Sequence, residues 1–236
     1  MKIIGRIHTD FPEKFGLPRQ SGLVSELTGE IVFEAQYKNE QALRGLEGYS
    51  HIWLLWKFDV PDTDEFRPMV KPPRLGGNTR MGVFATRSPF RPNPIGLSCV
   101  KIEKIDLKTP KGPVIYVSGI DMADNTAIID IKPYLPYTDC RPMANDGFAG
   151  DVIDEGHFLE VDIKSEDLEL FSEDKREALI NTLRQDPRPG YTYEDENREY
   201  GILFCKKNIR FKVKGNMLKV VKVEDEADYN RDTRAR

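Results

Sequence analysis

The 236-residue sequence predicts a mainly β protein with a smaller α+β unit in its C-terminal part. Over the first 165 residues, short apolar runs bounded by turn residues recur, as they do in a β-sandwich or a β-barrel. One of these runs, residues 51–58, is apolar on both faces, which is typical of a central strand. Beyond residue 170 the apolar spacing changes to a helical period.

The predicted strands of the first 165 residues follow one another closely. They span residues 2–8, 29–34, 51–58, 81–86, 96–105, 113–120, 128–132 and 157–163. A short helix near residues 39–46 is expected to interrupt this series.

The second unit is predicted to begin with a helix over residues 172–185. Ala178, Leu179 and Leu183 form its apolar face, Ser172 suits the N-cap, and Pro187 ends it. Three strands are then expected, at residues 200–205, 209–213 and 217–223, with a hairpin turn at 214–216. The Gly-, Asp- and Asn-rich stretch 140–156 predicts a boundary between domains 1–145 and 156–236. The charged tail 225–236 is expected to fray.

Composition argues against several classes of protein. The three cysteines and three histidines are widely separated, which speaks against a disulfide framework and a metal site. No apolar run reaches the roughly 18 residues of a membrane span, and the first residues do not resemble a secretory signal. We therefore expect a cytoplasmic protein that binds neither a metal nor a membrane.

The net charge of −4 conceals two stretches without any acidic residue. The first lies between Glu65 and Glu103, and the second between Glu199 and Glu224. Their cations are Arg67, Lys71, Arg74, Arg80, Arg87, Arg91 and Lys101 in the first block, and Lys206, Lys207, Arg210, Lys212, Lys214, Lys219 and Lys222 in the second. Such blocks suit an anionic polymer, because each neutralised phosphate releases counterions. A solvated strand face is the alternative interpretation of a basic run.

Proline is concentrated in the first cationic block. Seven of the 16 prolines fall between Pro61 and Pro94. Because proline fixes φ and lacks an N–H donor, residues 88–94 cannot form a helix or a central strand. We expect a stiff loop that presents Arg87 and Arg91 in fixed directions and leads into a strand, or an edge loop stiffened for stability alone.

The same segment resembles a family signature. The stretch Arg74-Leu-Gly-Gly-Asn-Thr-Arg-Met-Gly-Val-Phe-Ala-Thr-Arg-Ser-Pro-Phe-Arg-Pro-Asn-Pro-Ile-Gly-Leu-Ser98 is similar to the TsaA-like (TrmO) family of S-adenosylmethionine-dependent tRNA methyltransferases. The resemblance continues in order through residues 15–24, 44–53, 130–137 and 186–191. It therefore spans nearly the whole chain, which makes it far more specific than a lone short motif.

The resemblance implies a fold and a reaction. The family has a β-barrel-like catalytic domain instead of the Rossmann-type methyltransferase fold, and no Gly-x-Gly pair follows a predicted strand here. The family works as a homodimer, and its bacterial members methylate N6 of threonylcarbamoyl-adenosine beside the tRNA anticodon. The implied cofactor is S-adenosylmethionine and the implied partner is tRNA.

The resemblance also assigns cofactor contacts. They map to Pro18, Arg19, Gln20, Phe58, Asp59, Arg87, Leu97, Asp124, Asn125, Thr126 and Ala127. The last four replace a more usual Asp-Gly-Thr-Pro, and asparagine adopts positive φ less readily than glycine.

The residue types suit the cofactor. Either Arg19 or Arg87 can bind its carboxylate through two N–H groups. Asp59 or Asp124 can accept from its ammonium, ribose or adenine amine, and Phe58 and Leu97 offer apolar surface. Each has a structural alternative: a surface ion pair for Arg87, a turn for Asp124, and the core for Phe58 and Leu97.

Catalytic groups are less sharply defined. The acyl group on the acceptor N6 withdraws its lone pair, so a cation that stabilises the deprotonated nitrogen would help, and Arg80 and Arg91 are candidates. Asp130 and Tyr134 are further polar candidates, although structural hydrogen bonding suits them equally. Arg188 and the second cationic block are expected to bind tRNA. Two other functions are considered: a small-molecule methyltransferase, and a non-catalytic module that binds S-adenosylmethionine or RNA.

Overall fold

The computed structural model describes residues 1–60, 66–72, 75, 79–150, 158–188 and 195–227. Within these residues, six strands close into a barrel in the order β1-β2-β7-β6-β3-β8. The strands of the N-terminal part are β1 (Gly5–Thr9), β2 (Thr28–Phe33), β3 (His51–Lys57), β4 (Met69–Val70), β5 (Met81–Gly82), β6 (Ile95–Thr109), β7 (Gly112–Ser118) and β8 (Thr126–Pro133). The predicted mainly β fold with a barrel is confirmed.

Strand β3 is central, as predicted, because it pairs with both β6 and β8. Its side chains alternate across the barrel wall, so Ile52, Leu54 and Trp56 are buried in the core. Trp53 and Leu55 are only half-buried on the outer face. One apolar face of β3 therefore packs in the barrel interior, and the other forms part of an apolar outer surface.

Two short predictions need correction. The region 39–46 forms no α-helix, because Glu40–Leu43 and Leu46–Gly48 are separate 3-10 turns divided by Gly45 at a φ of 89°. The predicted strand 81–86 is limited to Met81–Gly82, which pairs with β4 and is followed by the 3-10 turn Val83–Ala85. Its partner β4 spans only Met69–Val70, so the ladder ends there.

The C-terminal part is a small α+β unit, as predicted. Its elements, after the short helix α1 (Pro136–Asp139), are β9 (Glu160–Asp162), α2 (Ser165–Leu168), α3 (Glu173–Arg184), β10 (Tyr200–Phe204), β11 (Lys207–Lys214) and β12 (Met217–Asp225). The sheet order is β10-β11-β12-β9, and a two-residue turn joins β11 to β12. Ser172 occupies the N-cap of α3, but its side chain makes no capping hydrogen bond to the helix backbone.

The α+β unit packs directly on the barrel. The rings of Phe11 and Phe204 lie 5.0 Å apart, and the Cys205 N–H donates to the Asp10 carbonyl. Lys175 of α3 donates to Asp10 at 2.7 Å and to Thr28 at 2.8 Å. These contacts hold α3 against the barrel end where β1 finishes and β2 begins. Among the described residues, no helix is long and apolar enough to cross a membrane.

Candidate functional site

One end of the barrel carries a large cavity of about 1690 Å³. At this end β1 and β3 finish, at Thr9 and Lys57, and β8 begins at Thr126. The loops that follow these strand ends form the cavity walls. Small-molecule sites are usually about 300–1,000 Å³, so this cavity has room for a cofactor and part of a second substrate.

Ten of the eleven residues predicted to contact the cofactor line this cavity. They are Pro18, Arg19, Gln20, Phe58, Asp59, Arg87, Asp124, Asn125, Thr126 and Ala127. They come from four segments that are far apart in sequence and meet only because the barrel brings its loops to one end.

The cations of the cavity are held by neighbouring groups. An Arg87 guanidinium N–H donates to the Gln20 side-chain oxygen, and Arg19 donates to the Asp186 carbonyl at 3.4 Å. Phe58 packs on Trp56 with their ring centroids 4.2 Å apart. The donor set therefore combines two guanidinium groups, several carboxylates and an aromatic wall. This combination fits a ligand such as S-adenosylmethionine, which carries charges of both signs and an adenine.

The 124–127 loop takes the backbone path that a glycine would take. Asn125 has a φ of 62°, in the left-handed region that asparagine adopts more easily than most residues. The Asp124 carboxylate accepts from the Thr9 N–H and interacts with His8, both at 3.1 Å. Asp124 thus anchors its own loop to β1 while it lines the cavity.

A buried hydrogen-bonded chain behind the cavity was not predicted. The Trp56 indole N–H donates to Ser98 at 2.9 Å, and the Ser98 hydroxyl donates to Asp121 at 2.6 Å. Ser98 is fully buried, whereas Asp121 lines the cavity. Burial raises the pKa of the Asp121 carboxyl. The signal in the sequence is an acid placed directly after the apolar run 113–120.

The C-terminal unit contributes Pro187 and Arg188 to the cavity wall. Arg188 is only 6% exposed and binds the Asp186 carboxylate through two N–H groups, at 2.9 and 2.8 Å. Asp186 has a φ of 48°, in the left-handed region. Arg188, predicted to bind tRNA together with the second cationic block, is thus a buried, ion-paired residue of the cavity wall.

The remaining predicted residues lie outside the described cavity wall. Leu97 is 50% exposed on the outer face of β6, directly opposite Leu55. Asp130 is paired with Leu55 in the register of β8 and forms an ion pair with Lys132 at 3.1 Å. Tyr134 packs on Trp53 with their ring centroids 5.6 Å apart. These three predicted residues therefore share the outer surface around β3.

The two arginine candidates also lie away from the cavity wall. Arg91 donates to the Thr86 and Ser88 carbonyls, at 2.9 and 3.4 Å, so it braces the proline-rich loop. Arg80 is exposed. Arg74 and residues 76–78 of the signature lie outside the described part of the chain.

Four cations of the second block form ion pairs with acids, and three of these acids are at least 11 positions away in the sequence. Ion pairs join Arg210 to Glu199, Lys219 to Asp162, Lys207 to Asp225 and Lys222 to Glu224. Lys212 and Lys214 have no acid within ion-pair distance among the described residues. Lys212 lies directly opposite Lys219 in the sheet, an arrangement of like charges that destabilises a strand pair.

Comparison with known proteins identifies the family. The sequence pattern of the tRNA-methyltransferase O (TrmO) N-terminal domain matches residues 6–140, and that of the TrmO C-terminal domain matches residues 159–226. The chain belongs to the TrmO family. It is accordingly an S-adenosylmethionine-dependent tRNA methyltransferase, as the sequence resemblance implied.

Individual TrmO relatives are similar along most of their length. The tRNA (adenine(37)-N6)-methyltransferase of Escherichia coli is 39% identical over 217 residues, which cover 89% of this chain and 91% of the relative. The enzyme of the same name from Eikenella corrodens is 39% identical over 179 residues, which cover 72% of this chain and 93% of the relative. A crystal structure of TrmO from Pseudomonas aeruginosa superposes with a TM-score of 0.72 at 30% identity, covering 94% and 97% of the two chains.

Proposed function

We propose that this chain transfers the methyl group of S-adenosylmethionine to N6 of the threonylcarbamoyl-adenosine at tRNA position 37, beside the anticodon. The observation that carries the proposal is the cavity at the barrel end, where loops distant in sequence bring together Arg19, Arg87, Asp59 and Phe58. The name of the E. coli relative supports position 37 and the N6 atom. We place the reaction in the cytoplasm, where tRNA is available.

The chain's own side chains act by binding and orienting the reactants. The bound cofactor supplies an electrophilic methyl group on a sulfonium centre. Arg19 and Arg87 hold the cofactor carboxylate, and Phe58 forms an apolar wall against Trp56. Asp59 accepts hydrogen bonds from the polar part of the cofactor. Fixing the two reactants in line supplies much of the rate acceleration that such a transfer needs.

The acceptor also requires positive charge at the site. Its acylated N6 becomes nucleophilic only when the proton leaves, and its threonyl group carries a carboxylate. Arg67 and Lys71 of the first cationic block line the cavity, so they are placed to stabilise both negative charges. Of the two arginines proposed from the sequence, Arg91 fixes the path of residues 86–91, and Arg80 is exposed.

A direct assay tests the reaction. Purified protein is incubated with methyl-labelled S-adenosylmethionine and tRNA that either carries or lacks threonylcarbamoyl-adenosine. We expect label only in the pre-modified tRNA, in a nucleoside that mass spectrometry identifies as N6-methylated. Label in neither tRNA would overturn the proposal, and label in a small molecule of a cell extract instead would favour the small-molecule methyltransferase.

Deletion of residues 165–236 does not separate these two functions. The deletion would remove Pro187 and Arg188 from the cavity wall and Phe204 from its packing on Phe11. Loss of activity would then follow for any substrate. A non-catalytic module that binds S-adenosylmethionine or RNA is distinguished instead by binding without turnover.

We further propose that the protein works as a homodimer through the outer face of β3 and β6. On this face Trp53 lies opposite Cys99 and Leu55 lies opposite Leu97, while Ile95 is 36% exposed. Exposed Leu97 and Ile95 beside half-buried Trp53 and Leu55 form an apolar patch, and such patches often mark an interface. Leu97, Asp130 and Tyr134 all lie on or beside this surface, so pairing of two copies would bring the residues missing from one cavity close to the cavity of the other.

A charge on the outer face tests the dimer. We expect Leu97→Asp to convert the protein to a monomer in analytical ultracentrifugation, because a dimer would have to bury the new carboxylate. The matched control is Leu107→Asp, on the far part of the same strand and 39% exposed. Equal sedimentation of wild type and both variants would contradict this interface.

A further inference from the structure

Asp121 is a charged residue of the cavity wall that has no part in the proposed reaction so far. Its Oδ1 atom accepts a 2.6 Å hydrogen bond from Ser98, and Ser98 in turn accepts from Trp56 at 2.9 Å. Ser98 is fully buried and Trp56 is 8% exposed, so both donors are fixed by packing. The indole of Trp56 is held between Phe58 and the bare backbone of Gly96. These two hydrogen bonds therefore fix the carboxylate of Asp121 in one orientation.

The surroundings of Asp121 indicate a ligand contact. Placing a carboxylate in a partly buried wall costs free energy, and hydrogen bonds from Ser98 and the Ser21 backbone offset part of that cost. Arg87 acts on the same carboxyl electrostatically, in the direction that favours its charged form. Both side chains line the cavity. The result is an acid and a guanidinium in the wall of one cavity, near enough for Arg87 to act on the charge of Asp121.

An acid beside an arginine is complementary to an α-amino acid, whose ammonium and carboxylate are bonded to one carbon atom. The methionyl end of S-adenosylmethionine has this form. We propose that Asp121 accepts hydrogen bonds from the α-ammonium group of the cofactor, while Arg87 binds its α-carboxylate. Ser98 and Trp56 are positioning residues for Asp121. This inference rests on the proposed use of the cavity for S-adenosylmethionine.

Titration calorimetry with three ligands tests the assignment without turnover or tRNA. S-adenosylmethionine and S-adenosylhomocysteine both carry the α-amino acid, whereas 5′-methylthioadenosine lacks it. We expect Asp121→Asn to weaken both amino acid ligands by about 10- to 100-fold, because a hydrogen bond between charged groups is lost. Binding of 5′-methylthioadenosine is expected to change by less than about twofold, within the accuracy of additivity for an untouched part of the site.

Two further variants complete the experiment. Ser98→Ala keeps the carboxylate but removes its donor, so we expect a weaker effect with the same ligand selectivity. Asp106→Asn, on the outer surface of β6 with Lys104 as its ion-pair partner, is the matched control and is expected to leave all three affinities unchanged.

The alternatives give different results. Equal weakening of all three ligands by Asp121→Asn would show that Asp121 only supports the loop. Weakening of S-adenosylmethionine alone would place the carboxylate at the sulfonium centre, and unchanged binding with loss of methyl transfer would make it a catalytic base. Each of these results overturns the α-ammonium assignment. Failure of the wild-type protein to bind any of the three ligands would overturn the proposed function itself.

Discussion

A single methyl group at position 96 is expected to destabilise the barrel by about 3 kcal/mol, the upper part of the usual range for overpacking. Gly96 lies directly opposite Trp56 in the β3–β6 pair. A Cβ atom at Gly96 would lie 2.1 Å from Cε2 and 2.4 Å from Cζ2 of the indole. Because Trp56 is fixed by Phe58 and Ser98, the ring cannot move without breaking its hydrogen bond.

Thermal unfolding and urea titration measure this effect. For a protein of this size, Gly96→Ala is expected to lower Tm by about 10 °C. The control is Gly82→Ala, because Gly82 has an ordinary φ of −59° and no atom lies within 4 Å of the place its new methyl group would take. In a Trp56→Leu background the same Gly96→Ala change is expected to cost much less. Equal Tm values for the two alanine variants would show that Trp56 adjusts freely.

Reversing the charge of two lysines on strand β11, by Lys212→Glu and Lys214→Glu, is expected to weaken tRNA binding by about 10- to 100-fold at moderate salt. Each lost phosphate contact removes a counterion-release contribution to the binding free energy. Lys212 and Lys214 are exposed at the end of β11. Lys212 also faces Lys219 across the strand pair. Lys219 is paired with Asp162 at 3.4 Å, whereas Lys212 has no acid within ion-pair distance among the described residues, so Lys212 is available to an anionic partner.

A measurement of Tm distinguishes a loss of tRNA binding from misfolding of the variant. Lys212→Glu relieves the repulsion with Lys219, so the Lys212→Glu and Lys214→Glu double variant is expected to keep or raise Tm while tRNA affinity falls. Fluorescence anisotropy at several salt concentrations gives the affinity and its salt slope, which is expected to become shallower. The control is Lys2→Glu with Lys108→Glu, which makes the same charge change at the barrel end opposite the cavity. Equal losses in both double variants would show that only net charge matters.

The local elements were predicted well where short-range chemistry decides them. Prolines 89, 92 and 94 exclude regular structure, and β6 begins at Ile95 directly after them. The 3.6-residue spacing of Ala178 and Leu179 with Leu183 predicted helix α3, whose bounds are Glu173–Arg184. The incorrect predictions concerned short segments, such as residues 81–86. Their conformation depends on a partner strand and not on their own sequence of apolar and polar residues.

The residues of the cofactor site were also predicted only in part. The family resemblance supplied Arg19, Arg87 and Asp124, but gave no indication that Leu97 lies on the outer face. Asp121 was missed because its partners, Ser98 and Trp56, are 23 and 65 positions away in the sequence. A hydrogen-bonded chain that joins two strands and a loop has no local sequence pattern.

The pairing of cations with acids was the property that could least be predicted from the sequence. The stretch between Glu199 and Glu224 contains no acid, yet Lys207, Arg210 and Lys219 all have carboxylate partners in the folded protein. Electrostatic interaction depends on distance in space, which falls to a few ångström between strands whose residues are far apart along the chain. Lys206, Lys212 and Lys214 are the cations of this block without an acid within ion-pair distance among the described residues.

By itself the sequence determined the strand-rich character of the chain, the stiff proline loop and membership of its family, because these depend on residue type and order. The tertiary structure alone decided which residues share a cavity, which face of β6 carries Leu97 and which lysines keep an uncompensated charge. The physical reason is that barrel closure and strand register set the distances between remote residues. Hydrogen bonds, ion pairs and ligand contacts act only over those distances.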